Sequence, residues 1–329
     1  MEREPPADPN PVQGPRECKG VKRILTGQTA SGKSAVAVCL AEAVDAELIS
    51  LDSMKLYRGL DIGTAKPSRE IRENVPFHLV DVVGPKDVFS LARYLDAARE
   101  AEEQIASRGR RAIYVGGTPL YLRGLIYGIF DGPAADWHLR EQLKQRAEME
   151  GSEVLHEELA AVDAKTARRL HPNDTTRIIR ALEVATTTGK PISSLQRQYP
   201  ARRPAVSYRM AALQRSDEDL RRRIARRTRS MFERGLVDEV RRVLAQGGFN
   251  RSSEKAIGYR EVLALINNKC TLDEAREAVE RNTWRLARKQ RTWLRSFPGV
   301  QWVPVAPDEP PDVTAGRVRR LLFGSANMN

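Results

Sequence analysis

Eight consecutive residues, Gly27-Gln28-Thr29-Ala30-Ser31-Gly32-Lys33-Ser34, match the pattern G-x-x-x-x-G-K-[ST]. The glycines let the backbone wrap tightly enough for several N–H groups to converge on one phosphate. A helix starting near Lys33 adds its positive N-terminus. Lys33 supplies a mobile cation, and the Ser34 hydroxyl can ligate Mg²⁺. The chemistry indicated is the binding of a phosphorylated ligand; the alternative is a glycine turn that only reverses the chain. Which phosphate is bound is a separate question. Nucleotide triphosphatases usually place a further acid at the end of a later apolar strand to hold Mg²⁺. Here Ala112 to Val115 runs straight into Gly116-Gly117-Thr118, with no acid. The string nearest to a guanine-reading N-K-x-D is Asn268-Lys269-Cys270-Thr271, which lacks the aspartate. A GTPase is disfavoured and a standard ATPase is weakened.

Asp52 is the second candidate. It ends the stretch Glu47-Leu48-Ile49-Ser50-Leu51-Asp52, which reads as a strand, and precedes Ser53-Met54-Lys55. In an open parallel sheet, ligands bind outside the carboxyl ends of the strands. That rule puts Asp52, the phosphate loop and Gly116-Gly117-Thr118 on one rim. A carboxylate beside a phosphate site can hold Mg²⁺ or accept a proton from an attacking group. It can also be an ordinary helix N-cap.

The elements that must position these residues alternate in type. Val21 to Thr26 reads as a strand and Ala35 to Val44 as a helix; Phe77 to Val83 and Ala112 to Val115 are strands with a helix over Leu91 to Arg108 between them. The alternation predicts an α/β fold, a P-loop parallel-sheet core with helices on both faces. From Asp131 the texture changes. Trp137 to Val162 is long, charged and helix-periodic, and no strand is indicated before Val206. Ser207 to Leu213 returns the chain to the sheet, and Val300 to Val305 forms one last strand. The predicted organisation is a proline-rich disordered tail over 1–20, the first part of the core over 21–130, a mainly helical insertion over 131–201, the second part of the core with basic helices over 202–308, and a loosely held tail over 309–329.

Charge bears on partners rather than on fold. The chain carries 55 Lys+Arg against 43 Asp+Glu, a net +12, which favours a polyanionic partner. The excess is concentrated. Residues 215–229 hold seven arginines against three acids, and 281–295 hold six basic residues and no acid, with Trp284 and Trp293 interleaved. Such runs grip a polyanion or form solvated helix faces, with the tryptophans packed into the core beneath the arginines. Cys18, Cys39 and Cys270 are scattered, so a disulfide framework and a zinc ribbon are both disfavoured and a reducing cytoplasm is expected. His78, His138, His156 and His171 show no ligand-like clustering. No apolar run is long enough for a membrane span, and the N-terminus has no secretory pattern.

Several longer strings go further. DSMKLYRGLDIGTAKP (Asp52 to Pro67), PFHLVD (Pro76 to Asp81), VGGTPLYLRGLIYG (Val115 to Gly128), LHPNDTTRIIRALEV (Leu170 to Val184), IGYRE (Ile257 to Glu261) and KQRTWLR (Lys289 to Arg295) follow the phosphate loop in order. Together they cover about residues 22 to 303, and they resemble the tRNA dimethylallyltransferases, also called tRNA isopentenyltransferases. Gln28 stands where that family often has proline, and Leu60 where it often has methionine; neither supplies a reacting group. The lack of a zinc finger of the eukaryotic kind points to the bacterial form.

The resemblance implies transfer of a dimethylallyl group from dimethylallyl diphosphate to N6 of adenosine 37 in tRNA, with Mg²⁺ as cofactor, in a cytoplasmic monomer. A departing diphosphate explains why no later acid is needed: no water has to be activated. By the same resemblance Asp52 is the base for the N6 amine, with Thr118 and Lys33 as the other catalytic candidates. Gly27 to Ser34 bind the diphosphate, with Ser34 on the metal. Arg223 and Arg227, four apart and so on one helix face, are candidates for its oxygens, or else an ordinary solvated pair. The tRNA-contact candidates are Asp52, Ser53, Met54, Lys55, Thr118, Arg140, Asn173, Asp174, Thr176, Arg177, Ile257, Gly258, Tyr259 and Arg260. For these residues packing or capping is the alternative; Asn173 and Asp174 follow His171-Pro172 and can simply start a helix. Arg288, Lys289 and Arg291 are expected to add to the electrostatic grip on RNA. Three rivals share the loop: an adenylate isopentenyltransferase, a small-molecule kinase, and a non-catalytic tRNA-binding protein that only senses nucleotide.

Overall fold

A computed structural model describes residues 20–129, 132–195 and 204–324. The disordered tail expected over 1–20 therefore lies outside the described residues apart from Gly20, as do 325–329 of the C-terminal tail. The chain divides into two compact units, Met1–Leu122 with Val206–Asn329, and Arg123–Ala205.

The first unit is built on six strands: β1 (Lys22–Gly27), β2 (Ala46–Leu51), β3 (Phe77–His78), β4 (Arg111–Gly116), β5 (Tyr208–Gln214) and β6 (Val300–Pro304). They pair in the order β3-β2-β4-β1-β5-β6, every pair parallel. The helices in chain order are α1 (Lys33–Val44), α2 (Arg69–Asn74), α3 (Leu91–Ser107), α4 (Pro119–Tyr127), α5 (Trp137–Glu150), α6 (Ser152–Val162), α7 (Ala164–Ala167), α8 (Thr175–Thr188), α9 (Ile192–Leu195), α10 (Asp217–Glu233), α11 (Leu236–Ala245), α12 (Tyr259–Ile266), α13 (Leu272–Leu294) and α14 (Pro311–Phe323).

Parallel neighbours need crossovers, and these are right-handed. The β1–α1–β2 crossover moves one way along the sheet and the β3–α3–β4 crossover moves the other way. That places α1 and α3 on opposite faces. Side-chain alternation shows the same division: Leu25, Ile113, Val115, Ala211 and Leu213 pack with Val36, Leu40, Val318 and Leu322 of α1 and α14 in one core. On the other face, the Tyr94 hydroxyl of α3 donates to Ser50 O at 2.9 Å and its ring stacks on Tyr121 at 3.8 Å.

Three sequence-based expectations need correction. The strand predicted over Phe77 to Val83 stops at His78, because Leu79 and Asp81 take left-handed φ values of 59° and 58°. The helix predicted over Trp137 to Val162 is two helices, α5 and α6, broken at Gly151 with φ 94°. The C-terminal segment is not loosely held: α14 buries Ala315, Val318 and Leu322 against the sheet.

In the second unit the described regular elements are all helices. Leu143, Leu155, Leu159, Ile178, Leu182 and Ile192 form its core. Glu183 is fully buried there and accepts from both arms of Arg140, each at 2.9 Å, from Arg180 and from the Asp136 N–H. The charge-assisted bonds offset the desolvation of the carboxylate and hold it below its usual range in spite of burial.

Candidate active site

Strands β2, β4 and β1 are neighbours, so their carboxyl ends deliver three loops to one rim. Gly27 to Ser34 follow β1, Asp52 follows β2, and Gly117-Thr118 follow β4. The loops are tied together. Thr118 N–H donates to Leu51 O at 3.1 Å, and the Thr118 hydroxyl accepts from Ser53 N–H at 3.2 Å. Asp52 Oδ1 accepts from Met54 N–H at 2.9 Å, an Asx turn that fixes the carboxylate at the strand tip.

The phosphate loop is held from behind. Gly27 runs so close to β5 that a Cβ would sit 2.8 Å from Leu213 O, with φ at +143°. Three arginines of the basic run face the loop. Arg215 Nε donates to Ser31 O at 2.9 Å while its guanidinium pairs with buried Asp219 at 2.8 Å. Arg223 Nε donates to Ala30 O at 2.8 Å, and Arg227 Nη1 reaches Thr29 Oγ1 at 3.4 Å. Arg223 and Arg227 both line the cavity described below. Arg215 went unnoticed in the sequence; only its place at the head of the arginine run marked it.

Gln290 is the other residue that sequence reasoning passed over. Its Oε1 accepts from Thr29 N–H at 2.7 Å and its Nε2 donates to Gly117 O at 2.8 Å. One side chain thus locks the phosphate loop to the GGT loop. The signal was its place inside KQRTWLR. Each bond is worth about 1 kcal/mol, so Gln290→Ala is expected to weaken diphosphate binding by about tenfold. Isothermal titration with pyrophosphate checks this; an unchanged Kd means that the loop keeps its shape alone.

Cations crowd the site. Lys33 Nζ donates to Gln28 O at 2.6 Å, and Lys55 Nζ lies 3.4 Å from Ser34 Oγ. Burial, with Lys55 and Arg227 nearby, pushes the Lys33 ammonium down to about 7, against the opposing pull of Asp52. Burial also lowers Lys55 and Arg227, and Asp52 again opposes it. Burial lowers Arg223 too, with Arg215 adding to the effect. Lys33, Lys55 and Arg227, three desolvated cations that share the Asp52 carboxylate, suit a multiply charged anion. Lys55, expected on tRNA, belongs to this cluster.

Two cavities meet here. The larger, about 760 Å³, is lined by Gly32, Lys33, Ser34, Asp52, Ser53, Lys55, Thr118, Arg223, Arg227 and Gln290, among others. The smaller, about 340 Å³, is lined by Gly63, Thr64, Ile224, Met231, Ile257, Tyr259, Val279 and Leu286. Thr29, Asp52, Met54, Thr64, Arg227 and Leu286 line both, so Asp52 stands where a phosphate-binding limb joins an apolar one.

The remaining tRNA-contact candidates are distributed unevenly. Ile257 lines the smaller cavity, and Arg260 is exposed and paired to Glu261 at 2.6 Å. Gly258 is the N-cap of α12, its N–H donating to Glu261 Oε2 at 2.7 Å. Tyr259 is corrected: its side chain is fully buried, with its hydroxyl on Glu239 at 2.7 Å, so it shapes the cavity wall from within the fold. Arg140, Asn173, Asp174, Thr176 and Arg177 belong to the second unit. Arg140 pairs with buried Glu183 and stays partly exposed. Asp174 caps α8 by position and pairs with Arg177 at 3.0 Å, while Asn173 and Thr176 are exposed. Arg291 pairs with Asp217 at 2.5 Å, leaving Arg288 and Lys289 exposed on α13. Trp284 packs beside Leu220, Ile224 and Ala287 under Arg221, which sits 4.0 Å from its ring centre. No group of three or more His, Cys, Asp or Glu among the described residues could hold a metal ion. No described helix is long and apolar enough to cross a membrane.

Comparison with known proteins accords with this arrangement. Residues 55–297 match the family model described as IPP transferase. A tRNA dimethylallyltransferase of Geobacter sulfurreducens is 46% identical over 281 residues, covering 85% of this chain and 90% of that protein. The crystal structure of a tRNA isopentenylpyrophosphate transferase from Bacillus halodurans superposes with TM-score 0.65 at 35% identity, over 92% of this chain and 98% of that one. A eukaryotic dimethylallyltransferase crystallised acting on tRNA gives TM-score 0.77 at 25% identity, over 92% and 78%. With a matching family model over most of its length and relatives aligned from end to end of the core, the chain belongs to the IPP transferase family.

Proposed function

We propose that the chain transfers a dimethylallyl group from dimethylallyl diphosphate to N6 of adenosine 37 in the anticodon loop of tRNA. The observation that carries this reading is Asp52, a carboxylate at the junction of the phosphate-binding cavity and the apolar one. The N6 lone pair attacks C1 of the dimethylallyl group. The C–O bond breaks, and its electron pair leaves on the diphosphate. The N6 proton goes to Asp52. The exocyclic amine is a poor nucleophile because its lone pair is delocalised into the ring, so a positioned base matters. Lys33, Lys55, Arg223 and Arg227 meet the charge that grows on the leaving diphosphate. Thr118, bonded to Ser53 N–H, keeps Asp52 in register with the loop.

The residues present fit a Mg²⁺ ion that arrives with the diphosphate. Ser34 offers a hydroxyl in a cavity otherwise rich in cations, so the ion's other ligands would be phosphate oxygens and water. That hydroxyl alone cannot hold a bare divalent ion, whereas Mg²⁺ commonly binds through substrate phosphates, waters and one or two protein oxygens. When bound, the ion neutralises charge on the leaving group.

The reading is tested by incubating the protein with dimethylallyl diphosphate and an anticodon stem-loop, AMP, or γ-labelled ATP with a small acceptor. Mass spectrometry of digested RNA should show one added dimethylallyl group at adenosine 37. Modified AMP with untouched RNA would identify the adenylate enzyme, and labelled acceptor a kinase. Base extrusion costs a few kcal/mol and needs a firm hold on the backbone. Replacing Arg288 and Lys289 together by alanine should lower the slope of log K against log salt by about 1 to 2, roughly one per lost phosphate contact. An unchanged slope would place them off the RNA.

A further inference from the structure

Glu239 of α11 lines neither cavity, yet its carboxylate is almost completely buried. A buried carboxylate is costly unless donors surround it. Here four do. Three are consecutive backbone N–H groups, those of Asp61 at 3.0 Å, Ile62 at 2.8 Å and Gly63 at 3.2 Å. Converging N–H groups of this kind make an anion-binding nest, which the protein fills with its own side chain. The fourth donor is the Tyr259 hydroxyl at 2.7 Å. The two groups so held also fit each other: a Cβ on Gly63 would lie 2.5 Å from the Tyr259 ring, so the backbone rests directly on its edge.

Two of the four groups that Glu239 holds, Gly63 and Tyr259, line the smaller cavity and neither lines the larger. Thr64 also lines the smaller cavity, and its hydroxyl donates to Leu60 O at 2.6 Å. Asp52 lines the same cavity. The phosphate loop receives nothing from Glu239; it is held by Arg215, Arg223 and Gln290. The limbs share Thr64 and the residues around Asp52, but the Gly63–Tyr259 wall and the phosphate loop are held by different side chains. An apolar, aromatic-walled limb ending at a carboxylate suits a flat base presenting an amine, and a cationic limb suits the diphosphate.

We infer that Glu239 is a positioning residue: it fixes the loop at Gly63 against Tyr259 as the wall that orients the acceptor base toward Asp52. The inference rests on the functional reading above. It predicts an asymmetry between the two substrates. Glu239→Gln keeps the size of the side chain but turns an NH₂ group toward N–H donors and loosens the wall. Misplacing a reacting group by about 1 Å from a distance can cost about a hundredfold, so kcat/KM for the anticodon stem-loop should fall roughly tenfold to a hundredfold. The Kd for an unreactive dimethylallyl diphosphate analogue should stay within about twofold, since no bond to the phosphate loop is touched. Tyr259→Phe keeps the ring and removes one of the four donors. It should lower the same kcat/KM by about tenfold, the lower end of what one hydrogen bond to a charged group is worth, again with donor binding unchanged.

Steady-state transfer and calorimetric donor binding on the full chain read both quantities. Glu239→Gln with stem-loop kinetics near those of wild type would overturn the inference, as would a parallel loss of donor affinity, which marks a merely structural role. If Glu239→Gln does not fold, the Tyr259→Phe pair of measurements decides on the same terms. A wild-type protein that binds the donor analogue but modifies no RNA would overturn the functional reading, and this one with it. A wild type that transfers normally, matched by its variants, would overturn this one alone.

Discussion

Substitution of Asp52 by alanine should lower dimethylallyl transfer to the stem-loop by about 10² to 10⁴-fold, the usual range for a lost general base, while tRNA affinity holds. Alanine removes two things at once, the proton acceptor and the Asx turn to Met54 N–H. Asp52→Asn separates them, because its amide oxygen can still accept from Met54 and only the basicity is lost. If the carboxylate is the base, Asn and Ala fall together. If Asn transfers within a few fold of wild type, the role of Asp52 is to shape the loop, and the base lies elsewhere. Single-turnover rates with saturating donor make the comparison clean, since they exclude product release.

The second large effect belongs to Lys33. Lys33→Met should reduce the single-turnover rate by about 10² to 10³-fold, as for other groups placed where transition-state charge develops. A pH signature accompanies the loss. In the free protein burial and neighbouring cations hold Lys33 at about 7. A bound diphosphate restores the charged form and raises that value. A group whose pKa is higher in the complex favours binding while it is protonated. Donor affinity should therefore be full below pH 7 and fall as pH rises above 7, by up to about tenfold per unit. At pH 8 binding should take up protons, seen as a dependence of calorimetric heat on the ionisation enthalpy of the buffer. Lys33→Met should flatten the step above pH 7. A wild type with level affinity from pH 6.5 to 8.5 would contradict the assignment.

What could be read from the sequence had its cause and its signal close together. The phosphate loop is eight contiguous residues whose types follow from wrapping one phosphate. Asp52 was legible because a strand end and a charge coincide. Arg223 and Arg227 were legible as a helical pair. Gln290 was not, because its two bonds reach residues more than 170 positions away and nothing in a lone glutamine announces them. Glu239 was hidden for a similar reason: an acid in the first turn of a helix reads as an exposed, dipole-friendly residue, and only the fold shows three amides converging on it. Tyr259 misled in the opposite sense. Its type suits RNA, yet it is buried with its hydroxyl on a buried glutamate. The strand at Phe77 ended early because Leu79 turns left-handed, a conformation that leucine does not advertise. The end of the chain did carry its signal, with Ala315, Val318 and Leu322 at helical spacing, masked by the prolines before them.

The Gln290 bond also has a meaning in time. Its partner Thr29 precedes it by 261 residues. A ribosome adding about 5–20 residues per second leaves the nascent loop without this strut for roughly ten to fifty seconds. Through that interval the loop sequence is complete but this strut is absent, so a chain terminated before Gln290 should bind pyrophosphate more weakly than the full chain. The residues that tie the phosphate loop to the GGT loop are complete only once the strand-rich first half and the basic helices have both emerged.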